Sequence, residues 1–313
     1  GPGIAAPRVP EGVLAVMVPD LGRVAGLIAD RFFEAPSAAL DVTGITGTNG
    51  KTTCTWLLAT ALGALERRCA YMGTLGAGLP GDVRPGTHTT PDAVTVHRSL
   101  AQLRSQGAQV VAMEVSSHAL DQHRCAGVRF RRAAFTNLTR DHLDYHVDLA
   151  RYAEAKEKLF RQLKPGGAAV VNADDPASER MARAARETGA RVFTYSARLR
   201  GDLCASHVQT GLRGTQLFLN GMGISRTRLW LPLAGRYNVE NALGALAAAL
   251  LSGASPSKLL EGLATVRSAP GRLEPVANDR GFAVLVDYAH SEHALENVCR
   301  VVRASLARGE ESP

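Results

Sequence analysis

From Asp41 onward, short apolar runs alternate with segments of helical spacing. DVTGIT (41–46) leads through a glycine turn, GTNGK (47–51), into TTCTWLLATALGALE, and AVTVHRSLAQLRSQ leads into the apolar run QVVAMEV (109–115). AAFTN (133–137) and AAVVN (168–172) repeat the theme. Runs this short and this apolar predict strands buried on both faces, hence an α/β fold with a mainly parallel sheet covered by helices. Between about 190 and 233 the rhythm changes to alternating segments with glycine turns, VFTYS, LCASHVQ, TQLFLN and TRLWLPL, which predict a small antiparallel sheet. Helical spacing returns at NVENALGALAAALLSG (238–253) and PSKLLEGLATV (256–266). FAVLVDY (282–288) with EHALENVCRVVRASLA then reads as the first strand and helix of another unit. One such unit cannot bury both its faces, so residues 276–313 are expected to open a further, truncated domain behind a central domain of 41–275. Residues 1–40, with an extended VLAVMVPD and a helical LGRVAGLIADRFF, read as the tail of a preceding domain.

Composition narrows the class. Hydrophobic residues make up 45% and charged residues 21% of the 313, ordinary globular usage that excludes disordered and fibrous chains. The net charge of +7 would suit nucleic acid, but the arginines are scattered and aromatics are only 5%, so no basic run interleaved with stacking residues exists. The same balance steers anionic small molecules equally well. Five cysteines, odd in number and without CxxC or zinc spacing, read as reduced thiols of a cytoplasmic protein. No stretch approaches eighteen consecutive apolar residues, so membrane insertion is not expected.

The strongest chemical signal is Gly44-Ile-Thr-Gly47-Thr48-Asn49-Gly50-Lys51-Thr52-Thr53, set between a strand and a helix. Its glycines let consecutive N–H groups face phosphate oxygens, and the following helix N-terminus adds positive potential. Lys51 would reach the β- and γ-phosphates of a nucleotide and the Thr52 hydroxyl would ligate Mg²⁺. The spacing from Gly44 to Gly50 is one residue longer than the usual phosphate-loop pattern. Glu114 ends an apolar strand, where an acid points to the ligand face of an α/β sheet; capping of the SSHAL helix is its alternative reading. On the residues alone, His142 reads as a structural or surface histidine and Lys156 as a solvated helix residue beside Glu154, Glu157 and Lys158. Asn238 stands either beside Asn241 on one helix face or as that helix's N-cap.

Taken in order, GTNGKTT, TTPDA, MEVSSHALDQHR, FTNLTRDHLDYH, YAEAKEKLF, GRYNVENALGAL, APGRLEPV and VDYAHSEHAL make the chain, from about Ala35 to Leu306, resemble the MurE type of the Mur ligase superfamily. The resemblance implies a phosphate-loop ATPase domain between a uridine-nucleotide-binding domain and a Rossmann-like amino-acid-binding domain. It implies an ATP-dependent ligase of peptidoglycan synthesis that adds a third amino acid, meso-diaminopimelate ahead of L-lysine, to UDP-MurNAc-L-Ala-D-Glu through an acyl phosphate. The D-N-P-R segment by which the family reads diaminopimelate is not in this sequence.

By the same resemblance, Thr52 and Glu114 hold one Mg²⁺, while His142 and a carbamylated Lys156 serve a second. Asn241 contacts adenine with Asn238 beside it, Arg272 contacts ATP phosphate, and Asp287 contacts the ribose. Thr89, Thr90, Ser116, Gln122 and Arg124 contact the UDP-linked dipeptide; Arg124 has the fork geometry an anionic substrate needs, and capping is the alternative for the hydroxyl residues. A monomer is implied, and a chain ending inside its last domain is expected to bind ATP weakly and to form no peptide bond alone. The competing readings are another ligase of the superfamily, of folylpolyglutamate or cyanophycin type, and a non-catalytic nucleotide-binding module.

Overall fold

The computed structural model describes residues 9–306 apart from Glu66, Leu199 and Gly281. Helix α1 (Leu21–Phe32) precedes strand β1 (Asp41–Thr46), helix α2 (Lys51–Gly63) and a group of three strands, β2 (Cys69–Gly73), β3 (Gly76–Leu79) and β4 (Asp82–Arg84). Next come α3 (Ala93–Ser105), β5 (Val110–Glu114), α4 (Ser117–Asp121), β6 (Phe130–Phe135), α5 (Leu143–His146), α6 (Leu149–Arg161) and β7 (Leu163–Asn172). They are followed by α7 (Ser178–Glu187), β8 (Arg191–Ser196), β9 (Leu203–Thr210), β10 (Thr215–Gly221), β11 (Ile224–Leu231), α8 (Arg236–Leu250) and α9 (Pro256–Ala264). A hairpin of β12 (Glu274–Val276) and β13 (Val284–Val286) and helix α10 (Glu292–Leu306) end the described chain.

Among the described residues, eleven strands form one sheet in the order β11-β10-β9-β8-β7-β6-β1-β5-β2-β3-β4. Its middle, from β2 across β5, β1, β6, β7 and β8 to β9, is parallel throughout. Side chains alternate across it, as the pleat requires. Ile45, Ala112 and Val170 face a core built with α2, α8 and α9, whereas Val42, Val111 and Val171 face a second core that includes residues of α3, α6 and α7. This double burial is why the strands read as continuous apolar runs.

Several details depart from the sequence reading. VFTYS, expected to be antiparallel, is β8 and runs parallel to both β7 and β9; only β9, β10 and β11 pair antiparallel there, and they extend the main sheet at its edge. The run VLAVMVPD forms no strand, because nothing pairs with it and its residues are exposed. Strands β2, β3 and β4 had no counterpart in the sequence reading; two of them are only three or four residues long and glycine-rich or charged. FAVLVDY contributes only β13, which pairs with β12 as a hairpin. Among the described residues no helix is long and apolar enough to cross a membrane.

Candidate functional site

Strand β1 lies beside β6, and the chain leaves these two neighbours in opposite directions, β1 towards β2 and β6 towards β7, so a crevice opens at their C-terminal ends. The loop 47–50 sits there. Gly50 caps α2 at φ 84°, a left-handed conformation that favours glycine. A Cβ on Gly50 would stand 2.1 Å from Asn241 Oδ1, and one on Gly47 would stand 1.9 Å from Thr136 Oγ1. The loop is therefore pressed between α8 and the end of β6. From the β6 side, Asn137 accepts from Thr48 N at its carbonyl (2.8 Å) and from Asn49 N at its Oδ1 (2.9 Å). Its Nδ2 and the Thr136 hydroxyl both donate to Asn49 O, at 3.1 and 2.6 Å. Thr48 Oγ1 accepts from Thr139 N at 3.0 Å, and Thr52 and Thr53 are buried in the first turn of α2.

Lys51 Nζ donates to the carbonyls of Gly47 (2.9 Å) and Thr48 (2.8 Å), so it curls over its own loop. Burial lowers its pKa even though Glu114 and Asp141 pull the other way. Glu114 is 0% exposed and accepts from four groups: Tyr71 Oη and Thr74 N (2.9 Å) at Oε1, Thr52 Oγ1 (3.0 Å) and Thr74 Oγ1 (3.2 Å) at Oε2. It does not cap the SSHAL helix; Ser116 does, accepting from Ala119 N at 3.2 Å. Arg272 reaches the same place, donating from Nη2 to Thr52 Oγ1 at 3.1 Å while its guanidinium lies 4.9 Å from the Tyr288 ring centroid. A carboxylate and a hydroxyl side by side at the mouth of a phosphate-type loop are hard oxygen donors, the set Mg²⁺ takes.

Lys156 corrects the reading from residues alone. It is 1% exposed rather than solvated, because Tyr152, Ala155, Leu159 and Phe160 occupy the same buried face of α6. Its Nζ donates to Gly47 O at 2.9 Å and lies 4.0 Å from the Tyr152 ring centroid, with no ion pair to it among the described residues. Burial, and next the Lys51 cation, push its pKa well down from 10.5. His142 stands at φ 51° ahead of α5, with its ring 4.9 Å from that of His118 and 6.1 Å from that of Tyr152. Burial lowers the pKa of both histidines. Imidazole and amine nitrogens alone do not suit Mg²⁺, and among the described residues no group of three or more His, Cys, Asp or Glu is arranged to hold a metal. An oxygen-bearing group on Lys156 would change that donor set.

Asn238 is not the N-cap of α8, a position held by Gly235; its Nδ2 donates to Ala234 O (2.8 Å) and its Oδ1 accepts from Asn241 Nδ2 (3.2 Å). Asp287 accepts from Leu273 N and Ala289 N, both at 2.7 Å, and so ties the chain beside Arg272 to the segment after β13. The five positions expected to meet the dipeptide come together at the end of β5. Thr90 Oγ1 donates to Glu114 O (2.9 Å) and accepts from Ser116 N (3.1 Å), Arg124 donates to Thr90 O (3.0 Å) and to Gln122 Oε1, and Thr89 Oγ1 lies 3.0 Å from Thr74 Oγ1. Thr90 is buried with its hydroxyl already in use, whereas Gln122 is exposed and Arg124 and Thr89 are partly so. Sequence reasoning missed Tyr71, Thr74, Thr136 and Asn137. The last two end the strand of AAFTN at the ligand face, a position that carries a signal; Tyr71 sits inside an apolar strand and carries none.

Fold and loop define a class, the α/β proteins with a strand–loop–helix unit shaped for phosphate. The family profile described as Mur ligase middle domain matches residues 45–249, and the chain belongs to the Mur ligase family. It is 50% identical over 303 residues to a UDP-N-acetylmuramoyl-L-alanyl-D-glutamate--2,6-diaminopimelate ligase of Alkalilimnicola ehrlichii, covering 94% of this chain and 59% of that protein. A ligase of the same name from Geobacter metallireducens is 42% identical over 312 residues, covering 96% and 59%. Among solved structures, one of a ligase so named superposes with a TM-score of 0.81 at 34% identity, over 94% of this chain and 61% of that one. The chain thus spans about three-fifths of the length of the relatives it matches.

Proposed function

We propose that this chain forms the ATP-binding core of a ligase that joins a third amino acid, meso-diaminopimelate in preference to L-lysine, to UDP-MurNAc-L-Ala-D-Glu in the cytoplasm during peptidoglycan synthesis. The observation that carries this reading is the convergence of Lys51, Thr52, Glu114, Arg272 and the buried Lys156 on one short loop. The names of the relatives supply the substrates.

In this reading ATP lies along loop 47–53 with Asn238 and Asn241 on its base side and Asp287 at its ribose. Arg272 and Lys51 neutralise its phosphates, and Lys51 must first leave the carbonyls of Gly47 and Thr48. Thr52 and Glu114 would hold Mg²⁺, which when bound neutralises phosphate charge. His142 and Lys156 would serve a second Mg²⁺ only once Lys156 is carbamylated; a buried, uncharged amine is the form that reacts with CO₂. Thr89, Gln122 and Arg124 receive the anionic UDP-linked dipeptide, and Thr90 and Ser116 shape that surface through the end of β5. Catalysis in such a site consists of alignment and charge neutralisation.

Calorimetry of ATP binding in the presence of Mg²⁺ tests the reading. Lys51→Ala removes a half-buried side chain whose hydrogen bonds go to its own loop, so the fold should survive and ATP affinity should fall by more than about 100-fold. Unchanged affinity in a folded variant excludes the loop as the nucleotide site.

A further inference from the structure

Glu114 has two oxygens with different surroundings. Oε1 accepts from the Tyr71 hydroxyl and from Thr74 N (2.9 Å), and Gly73 closes on it so tightly that a Cβ there would stand 2.2 Å away. Oε2 accepts from the hydroxyls of Thr52 (3.0 Å) and Thr74 (3.2 Å). Tyr71 itself is fully buried, set edge-on to Trp56 with ring centroids 5.8 Å apart, and its Oη accepts from Leu75 N at 3.2 Å. With Leu75 N donating to it, the Tyr71 hydroxyl has its own proton aimed at Glu114.

We infer that Tyr71 is the positioning residue of this centre: with the Thr74 backbone it holds Glu114 Oε1 through donors whose protons are fixed on it, whereas the Thr52 and Thr74 hydroxyls on Oε2 can turn, so that the carboxylate offers a cation Oε2 alone, on the side of Thr52. This rests on the reading that Thr52 and Glu114 hold Mg²⁺. A carboxylate free to rotate would present either oxygen to Mg²⁺; the clamp fixes which oxygen stands beside the loop hydroxyl. It also keeps the acid oriented before any cation arrives, so that burying the charge is compensated by hydrogen bonds. Tyr71→Phe keeps the ring against Trp56 and removes only the hydroxyl. Loss of such a supporting partner typically weakens metal affinity by about 10–100-fold.

The test is ATP binding by calorimetry across a series of Mg²⁺ concentrations, with Mn²⁺ binding followed by electron paramagnetic resonance. The wild type, Tyr71→Phe and Thr74→Ala are compared. The expected result is that Tyr71→Phe needs about 10–100-fold more Mg²⁺ for the same ATP affinity, binds Mn²⁺ correspondingly more weakly, and keeps its metal-free ATP affinity. Thr74→Ala retains the backbone donor on Oε1 and removes a hydroxyl from Oε2 alone, so it is the control in which the Mg²⁺ requirement should not rise. An unchanged Mg²⁺ requirement in folded Tyr71→Phe, or an equal rise in Thr74→Ala, overturns the positioning role and leaves the proposed function standing. A wild type whose ATP affinity does not respond to Mg²⁺ overturns both.

Discussion

Lys156 concentrates the chemistry of a single residue. The unfolded chain holds the lysine proton up to about pH 10.5, whereas the folded, desolvated amine gives it up well below that value. Between those two pKa values folding releases a proton, and the stability attached to this group is complete above about pH 10.5 and declines as pH falls towards the folded pKa. Lys156→Met keeps the length of the side chain and removes the titration. In CO₂-free buffer it should be more stable than the wild type at pH 7, on the order of 1 kcal/mol, with the gain vanishing towards pH 10. Urea denaturation at several pH values measures this, and added bicarbonate should narrow the gap by stabilising only the wild type. A pH-independent difference would mean that the amine is charged in the folded protein. The burial had a signal that the sequence reading passed over: Tyr152, Ala155, Lys156 and Leu159 share helical spacing, and a lysine on that stripe belongs to the interior. Its acidic neighbours Glu154 and Glu157 obscured the stripe in the sequence.

At the scale of elements, α6 delivers Lys156 to the loop, and its start is fixed by Asp148, whose side chain accepts from Arg151 N at 2.8 Å. Asp148→Ala should cost about 1 kcal/mol in urea denaturation, with Asp148→Ser close to wild type. ATP affinity should not change, because Lys156 lies two turns inside the helix. A loss of affinity matching the loss of stability would show that the first turn positions the amine directly. Elements of this kind were well marked in the sequence, since apolar spacing and caps are local signals; α2, α3, α6, α8 and the parallel strands β1, β5, β6 and β7 stood where the pattern put them. The failures were elements whose identity is set by partners. VFTYS alternates like an antiparallel strand, yet β7 had the free edge that made it parallel. VLAVMVPD has strand composition and no edge to join. The loop, Glu114 and the residues of β5's end were legible in the same way, through motif and strand-end position. The support from Tyr71 and Thr74 was not, because each acts across a chain separation that no local pattern encodes.

At the scale of the whole molecule, the sheet divides the interior into two cores, one with α2, α8 and α9 and one with α3, α6 and α7. Val239 of α8 is buried in the first and Val96 of α3 in the second. Each Val→Ala replacement should cost about 1.5–3 kcal/mol. In the double variant the costs should sum to within about 0.5 kcal/mol, as for sites without shared partners. A larger discrepancy in urea denaturation would reveal a core continuous through the sheet. The consequence is one of heredity. The loop is gripped from one side by Asn241 on α8 and from the other by the end of β6 and Lys156 on α6, so each core governs its own grip. Sequence drift in one core then needs no compensating change in the other, and epistasis should stay within a face except among the few residues that touch the loop itself.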